Sequence, residues 1–187
     1  MKYIATMALM LNLGVPSLYA QQHTVKMVFS GTGLASTVIL QQPNTSNNED
    51  DVAGNGTLGS FTFRNVRAIA NSPTSSSSCS GSNEIYLADP AGAVVFRFQD
   101  GSLLNVSLVQ GGDCINLAVD EAHCVLTLKI IGGTGRFKNA SGTLTFTETA
   151  VTVLSDSLGN PVYFADTGQI TGMISGASEE LDQSDRQ

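Results

Sequence analysis

The chain has 187 residues, with 9 Lys or Arg against 16 Asp or Glu and a net charge of −7. This length suits one domain with a short additional segment. An acidic chain repels the phosphate backbone of nucleic acids, and the sequence has no basic stripe with interleaved aromatic residues to offset that repulsion. We therefore exclude nucleic acid as a partner.

Residues 1–20, MKYIATMALMLNLGVPSLYA, have one Lys, an apolar run from Ile4 to Val15 and a break at Pro16. This pattern is typical of a secretory signal peptide, cleaved here before Gln21. The run is too short to span a bilayer core of about 30 Å, and no Cys stands near the cut to carry a lipid. We predict an exported protein, secreted or periplasmic, without a membrane anchor.

From residue 24 onward, short runs rich in Thr, Val, Ile and Phe alternate with Gly, Asn, Asp and Ser, which is typical of strands and turns. The Asp100-Gly101 pair between two runs is a strong hairpin signal. No stretch has a helical period, so crossover helices are not expected and the sheet is predicted to be antiparallel. The candidate strands are residues 24–31, 36–42, 58–69, 84–89, 93–99, 102–109, 123–131, 141–154 and 162–175.

These patterns predict an all-β domain over residues 21–176, an antiparallel barrel or sandwich of eight or nine strands. Two other segments are predicted to be polar loops. Residues 41–56 contain three consecutive acids but lack the spacing of a calcium loop, and residues 71–83 form a Ser-rich linker. Residues 177–187 are predicted to be a disordered polar tail.

The chain has three cysteines, and export predicts one disulfide with one thiol left over. We favour pairing of Cys114 with Cys124, which flank a short polar segment, although Cys79 in its flexible stretch could reach either. A metal site or a Cys–His nucleophile at this segment is disfavoured. His123 and Cys124 are neighbours on a strand and point to opposite faces, and no third ligand has a familiar spacing. We predict no metal, no cofactor and no catalytic residue.

Some charged residues interrupt the apolar strands: Arg64, Arg97, Lys129, Glu148 and Asp166. Any pair of these that faced a barrel interior would have shifted pKa values and would mark a binding site. Most are expected to face solvent. We select Arg97 and Asp166 as candidate polar groups of a cavity.

The stretch IIGGTGRFKNASGTLTF, residues 130–146, contains a glycine cluster that could suggest a phosphate loop. The dinucleotide pattern fails because Lys138 stands where its last Gly would be, and no Gly-Lys-Ser/Thr follows. Phosphate loops also need a helix after the glycines, whereas this stretch runs into a strand. We interpret the glycines as a sharp turn between strands, with Phe137 tucked beneath it, Gly142 clearing space, and Arg136 and Lys138 pointing to water.

Residues 132–142, GGTGRFKNASG, resemble the motif G-G-T-G-x-F-x-x-A-x-G of dirigent proteins and allene oxide cyclases, which also recurs in exported bacterial proteins of unassigned role. The resemblance implies an eight-stranded antiparallel barrel, often trimeric, with a hydrophobic cavity, and we therefore predict a barrel of this type and not a sandwich. The motif is architectural in those families, so it implies fold and not activity. Its positions here are Gly132, Gly133, Gly135, Phe137 and Gly142.

Three functions fit these expectations. The first is a non-catalytic module that binds a small hydrophobic ligand inside the barrel. The second is a dirigent- or cyclase-like enzyme acting on a phenolic or oxidised-lipid substrate, which needs acid and base groups facing the cavity. The third is an interaction protein with a filled barrel. Because eight strands enclose either side chains or one small ligand, cavity volume separates the first from the third.

Overall fold

The computed structural model describes residues 22–79 and 81–178. The predicted signal peptide and nearly all of the predicted tail lie outside these residues. A single 3-10 turn, Gly135–Phe137, is the only helical element within the described part of the chain. The strands are β1 (Gln22–Ala35), β2 (Thr45–Gly56), β3 (Phe61–Ala70), β4 (Glu84–Ala88), β5 (Ala91–Phe98), β6 (Leu103–Asn116), β7 (Glu121–Gly133), β8 (Ser141–Ser155) and β9 (Pro161–Ser175).

Eight of the strands form a closed antiparallel barrel. The order β6-β5-β3-β2-β1-β9-β8-β7 returns to β6, because β6 pairs with both β5 and β7. The extra strand, β4, pairs with residues 112–116 of β6, while β5 pairs with residues 103–107. The predicted all-β antiparallel barrel is confirmed. Among the described residues, no helix is long and apolar enough to cross a membrane.

The prediction for the segment between β1 and β3 was wrong in two places. Residues 36–42 are not a strand, and the expected loop at 41–56 is largely β2. In β2, Asp50 and Val52 are buried while Asp51 and Ala53 are exposed. β2 is held by backbone pairing to β1 and β3, so its polar residues adopt a strand despite low strand propensity.

The predicted disulfide was also wrong: Cys79 bonds to Cys114, and Cys124 is a buried free thiol. In the β6–β7 ladder, Asp113 lies opposite Cys124 and Cys114 lies opposite His123. Paired residues share a face, so Cys124 points into the barrel with Asp113, while Cys114 points outward. The Ser-rich segment is therefore tied across the outer face and is not a free linker.

One end of the barrel is filled by aromatic side chains. Seven of the eight phenylalanines belong to the core, namely Phe29, Phe61, Phe63, Phe96, Phe98, Phe137 and Phe146. They pack as a continuous set; the rings of Phe29 and Phe146, for example, stack with centroids 5.0 Å apart. Burial of this much aromatic surface is a major stabilising contribution to the fold.

The glycine-rich turn closes the filled end. Phe137 is fully buried beneath it, and Gly135 has φ 55°, a left-handed conformation that favours glycine. A Cβ on Gly133 would collide with the Leu103 carbonyl oxygen, and one on Gly142 would collide with the Met173 carbonyl oxygen. Gly142 thus allows close contact with β9, a role different from the expected clearance for Phe137.

Arg136 does not point to water as expected. Its guanidinium lies over the rings of Phe98 and Phe137, 4.9 and 4.6 Å from their centroids. Its Nε atom is also 2.9 Å from Asp100 Oδ2 in the β5–β6 hairpin. These cation–π and ionic contacts hold the turn against the barrel end.

The disulfide can be tested by peptide mass mapping without reduction, which should recover Cys79 linked to Cys114. A thiol reagent should react with Cys124 only after denaturation, because that side chain is 1% exposed. The double variant C79A/C114A should lose about 2–4 kcal/mol of stability in urea, because the bond closes a long loop in the unfolded chain. A mapped Cys114–Cys124 peptide would contradict the pairing.

Candidate functional site

The inward-facing residues change from bulky apolar to polar or small toward one end of the barrel. In β8 the inner series runs Leu144, Phe146, Glu148 and Ala150, all buried. In β1 the inner position at this level is Gly33, which has no side chain to fill the space. The aromatic core therefore stops partway along the barrel.

Seven buried residues from seven chain segments meet where the core stops, and we call them the polar layer. Each is at most 4% exposed: Asp50 (β2), Arg67 (β3), Asp89 (between β4 and β5), Asp113 (β6), Cys124 (β7), Glu148 (β8) and Asp166 (β9). β1 contributes Gly33, on which a Cβ would lie 2.7 Å from both Asp50 Oδ1 and Asp166 Oδ2. The glycine allows these two carboxyl groups to approach the β1 backbone.

Arg67 is the single cation of the polar layer. Its Nη1 donates to Asp113 Oδ1 at 2.7 Å and to Asp89 Oδ2 at 3.0 Å, and it also lies 3.0 Å from Cys124 Sγ.

On its other side, Arg67 Nη2 donates to Glu148 Oε2 at 3.3 Å, and Arg67 Nε lies 3.7 Å from Asp50 Oδ2. Four carboxyl groups thus contact one guanidinium, and a fifth, that of Asp166, lies in the same buried layer. Burying an uncompensated charge is very costly, so these acids cannot all be ionised unless a further cation joins them.

Burial shifts the protonation of the layer. Loss of hydration raises the pKa of Asp89 and of Asp166 to about 7 in each case, and nearby acids add to both shifts. Burial raises the pKa of Asp50, and it raises that of Glu148 well above its usual range. For Arg67, burial alone would lower the pKa, but the surrounding charges, Asp113 foremost, raise it well above its usual value. These shifts favour a charged guanidinium and favour protonation of Asp50, Asp89, Glu148 and Asp166.

Several polar atoms of the layer lack a hydrogen-bond partner among the described residues. They are Arg67 Nε, Asp89 Oδ1, Glu148 Oε1 and Asp166 Oδ2. Leaving a buried polar atom unpaired costs about 1–3 kcal/mol, so native proteins seldom do so without a functional reason. The layer therefore has bonding capacity that its own side chains do not use.

A cavity of about 190 Å³ lies above the layer and opens at the barrel end. Its wall is mainly apolar: Ile69, Leu87, Ile115, Ala122, Ala150, Pro161 and Phe164. Its rim is polar (Ser46, Asn48, Asp120, Glu121 and Thr152), and its floor consists of Asp50, Arg67, Asp113 and Asp166. A dry cavity of about 150 Å³ accepts benzene, so this one has room for about one ring.

Of the two cavity residues selected from the sequence, Asp166 lies on the cavity floor and Arg97 does not line the cavity. Arg97 is exposed on the outer face of β5, between the buried Phe96 and Phe98. The cation that does face the cavity is Arg67, which sequence reasoning missed. Strand alternation carried the signal, because Arg67 shares the inward parity of Phe63 in β3.

His123 and Cys124, consecutive residues of β7, lie on opposite faces of the sheet, as the alternation of side chains along a strand predicts. Cys124 lies in the polar layer, and burial raises the pKa of its thiol well above the usual value, which disfavours a nucleophilic thiolate. His123 lies outside the barrel, where its Nε2 is 2.9 Å from Glu121 Oε1 and its Nδ1 is 3.1 Å from Thr149 Oγ1. The two residues cannot act as one catalytic pair.

Comparison with known proteins gives only a remote likeness. No family model matches the chain, and no curated protein matches it. The fold is similar to that of two pterocarpan synthase dirigent proteins. GePTS1 has 12% identity and a TM-score of 0.43, covering 90% of this chain and 92% of its own. PsPTS1 has 13% identity and a TM-score of 0.43, covering 85% of this chain and 97% of its own. Similarity at this level carries no argument about function.

Replacing Arg67 with Met should destabilise the protein by about 3–5 kcal/mol at about pH 8, because it leaves the surrounding carboxyl groups without their cation. The loss should shrink at about pH 5, where those groups accept protons. Urea unfolding at both pH values measures it. Arg97→Met on the outer face is the matched control and should stay within about 0.5 kcal/mol of the parent. Equal effects of the two variants on stability would contradict the role of Arg67 as the cation of the polar layer.

The stability of the protein should fall as pH rises from about 5 to about 8 when a chelator keeps metal ions away from the buried carboxyl groups. Asp89 and Asp166 have folded-state pKa values of about 7, above their unfolded values. A raised pKa contributes stability that is complete below the unfolded pKa and lost as pH rises through the folded one. The double variant D89N/D166N, whose amides do not ionise, should show a flatter profile by urea unfolding. A parent profile that rises over this range would contradict the assignment.

Proposed function

We propose that this protein binds a small, partly apolar molecule of about one ring in the open end of its barrel. The observation that carries the proposal is the cavity of about 190 Å³ with an apolar wall and a buried acidic floor. Small-molecule sites combine these features, a mostly apolar enclosure with a few polar groups that fix orientation. A barrel filled throughout by side chains would have no such space.

The size of the cavity limits the ligand. A single substituted ring fits the enclosed volume, whereas a long acyl chain would have to leave most of its length outside. The ring would pack against Ile69, Leu87 and Phe164, and burial of its apolar surface would stabilise the complex by roughly 25 cal/mol per Å².

The floor limits the chemistry of the ligand's polar end. Asp166 Oδ2 is buried without a partner among the described residues, so it can accept a hydrogen bond from a ligand hydroxyl or ammonium group. Five carboxyl groups nearby disfavour an anionic end. A phenol, an alcohol or an amine therefore suits the site, and a carboxylate does not.

A second candidate function is an acid–base enzyme acting on a phenolic substrate. The observation that favours it is the position of the Asp166 carboxyl group on the cavity floor, where it would meet the ligand's hydroxyl directly. A carboxyl group in contact with substrate can give or take a proton during a reaction. Of the two substrate classes considered, the cavity volume favours a phenol over an oxidised lipid.

The compartment and assembly of the protein are proposed from the disulfide and from the sequence resemblance. The Cys79–Cys114 disulfide is compatible with an oxidising compartment, which supports export to the periplasm or the extracellular space. A homotrimer is implied by the sequence resemblance alone and stays a prediction. The native mass measured in the experiment below also reports the number of chains.

Native mass spectrometry of the protein from its own export pathway tests binding, with a denaturing run on the same sample. We expect a mass excess in the native run that disappears on denaturation. Ala150→Phe should abolish it, because Ala150 lines the cavity. The matched control Val151→Phe, on the neighbouring outward position, should keep it. A native mass equal to that of the protein alone would contradict binding of a small ligand and favour an interaction protein with a filled barrel.

A set of three probes with the same ring tests the chemistry of the floor. Benzyl alcohol and benzylamine should shift amide resonances of residues around the cavity, and benzoate should not. The physical reason is that the buried acids accept a donor and repel an anion. Backbone amide NMR titrations measure the response, with Ala150→Phe as the blocked control. Benzoate binding as tightly as benzylamine would contradict the proposed selectivity.

A further inference from the structure

We propose that Asp50, Glu148 and Asp166 form a binding site for a hard divalent cation, such as Ca²⁺ or Mn²⁺, at the floor of the cavity. These residues come from β2, β8 and β9, so no local sequence motif predicts that they meet. We call them the carboxylate triad. This inference goes beyond ligand binding in the cavity. It uses the same Asp166 Oδ2 atom, so an ion and a ligand's donor group are alternative partners for that atom.

The geometry of the carboxylate triad suits one ion. One carboxylate oxygen from each residue lies within 4.8 Å of the others, and all three side chains are buried. Ca²⁺ binds oxygen at about 2.3–2.6 Å, so two of its ligands on opposite sides lie about 5 Å apart. A single ion placed among the three oxygens can therefore contact all of them.

Two of the triad's oxygen atoms are available for such an ion. Glu148 Oε1 and Asp166 Oδ2 have no hydrogen-bond partner among the described residues, although these side chains are only 1% and 2% exposed. The third residue, Asp50, uses one carboxylate oxygen, Oδ2, to accept a hydrogen bond from Asn65 Nδ2. Its Oδ1 atom lies beside Asp166 Oδ2 over Gly33, where both are 2.7 Å from the position a Cβ would take.

A second buried group of possible ligands shows why the ion is assigned to the triad. Asp89, Asp113 and Cys124 also lie close together, but Arg67 Nη1 stands among them at 3.0, 2.7 and 3.0 Å. The guanidinium already supplies the positive charge there. Its contacts with the triad are longer: Nη2 donates to Glu148 Oε2 at 3.3 Å, and Nε lies 3.7 Å from Asp50 Oδ2.

The identity of the ligands selects the class of ion. The carboxylate triad offers only oxygen, without the thiolate or imidazole that Zn²⁺ and Cu²⁺ favour. Asp50 and Asp166 border the cavity, so an ion can enter from the open end and keep water on its remaining positions. The alternative to a bound ion is that the three carboxyl groups share protons and so carry less negative charge.

The test uses the chelator-treated protein at about pH 8, where proton competition is weakest. Electron paramagnetic resonance of added Mn²⁺ should show one bound ion per chain, and Ca²⁺ should displace it. At an ion concentration about 100-fold above Kd, the unfolding equilibrium constant should fall about 100-fold. No Mn²⁺ binding would overturn the proposal and leave proton sharing as the explanation.

Two isosteric variants locate the ion. Glu148→Gln and Asp166→Asn should each weaken Mn²⁺ binding at least about 10-fold, since a loss of this size follows even when a residue that only supports a metal ligand is changed. Without metal at about pH 8, both should be at least as stable as the parent, because each removes one of the five buried acids that surround a single cation while its amide oxygen can still accept a hydrogen bond. That combination separates a lost ligand from a damaged fold.

Two controls complete the set. Asp51→Asn changes the exposed neighbour of Asp50 in β2, and Asp89→Asn changes an acid on the far side of Arg67. Both should retain Mn²⁺ binding. Binding unaffected by Glu148→Gln and Asp166→Asn would assign the ion to surface carboxylates and overturn the proposal. Loss of binding in Asp89→Asn equal to that in Asp166→Asn would also overturn it, because the effect would then be one of general charge.

Discussion

The bonding of one guanidinium to carboxyl groups from several strands determines the open half of this barrel. Arg67 is 4% exposed and makes hydrogen bonds to Asp89, Asp113 and Glu148, which come from the β4–β5 connection, β6 and β8. These bonds run across the interior, where a chain without Arg67 would have only repelling acids. The guanidinium thereby fixes a level in the barrel above which the aromatic core cannot continue.

The two halves of the interior have different physical roles. The aromatic half, closed by Phe137 and by Arg136 over its ring, supplies apolar burial and a rigid base. The polar half holds charge, unpaired oxygen atoms and free volume, none of which stabilises a folded chain. Structures keep such features where a ligand or an ion uses them, so we locate the function of this protein at the open end.

The sequence was sufficient for the barrel but not for the polar layer. Strands such as β8, where apolar residues alternate with Thr, were recognisable because alternation is a local signal. β2 was missed because its inward residues Asn48 and Asp50 lie at the polar rim and floor of the cavity, so the strand lacks the hydrophobic pattern that defines strands elsewhere. Arg67 could have been recognised from its shared parity with Phe63 in β3. The proximity of Asp50 and Asp166 instead depends on the registers of β2 and β9 against β1, which one sequence does not specify.

A high-resolution crystal structure of the exported, processed protein tests the central claim most directly, since that claim concerns one buried cation and the space above it. The account predicts Arg67 inside the barrel in contact with Asp89, Asp113 and Glu148, beneath a cavity that is open at one end and occupied by ordered density. An Arg67 side chain turned out to solvent, with Ile69 and Phe164 collapsed into the cavity, would contradict it.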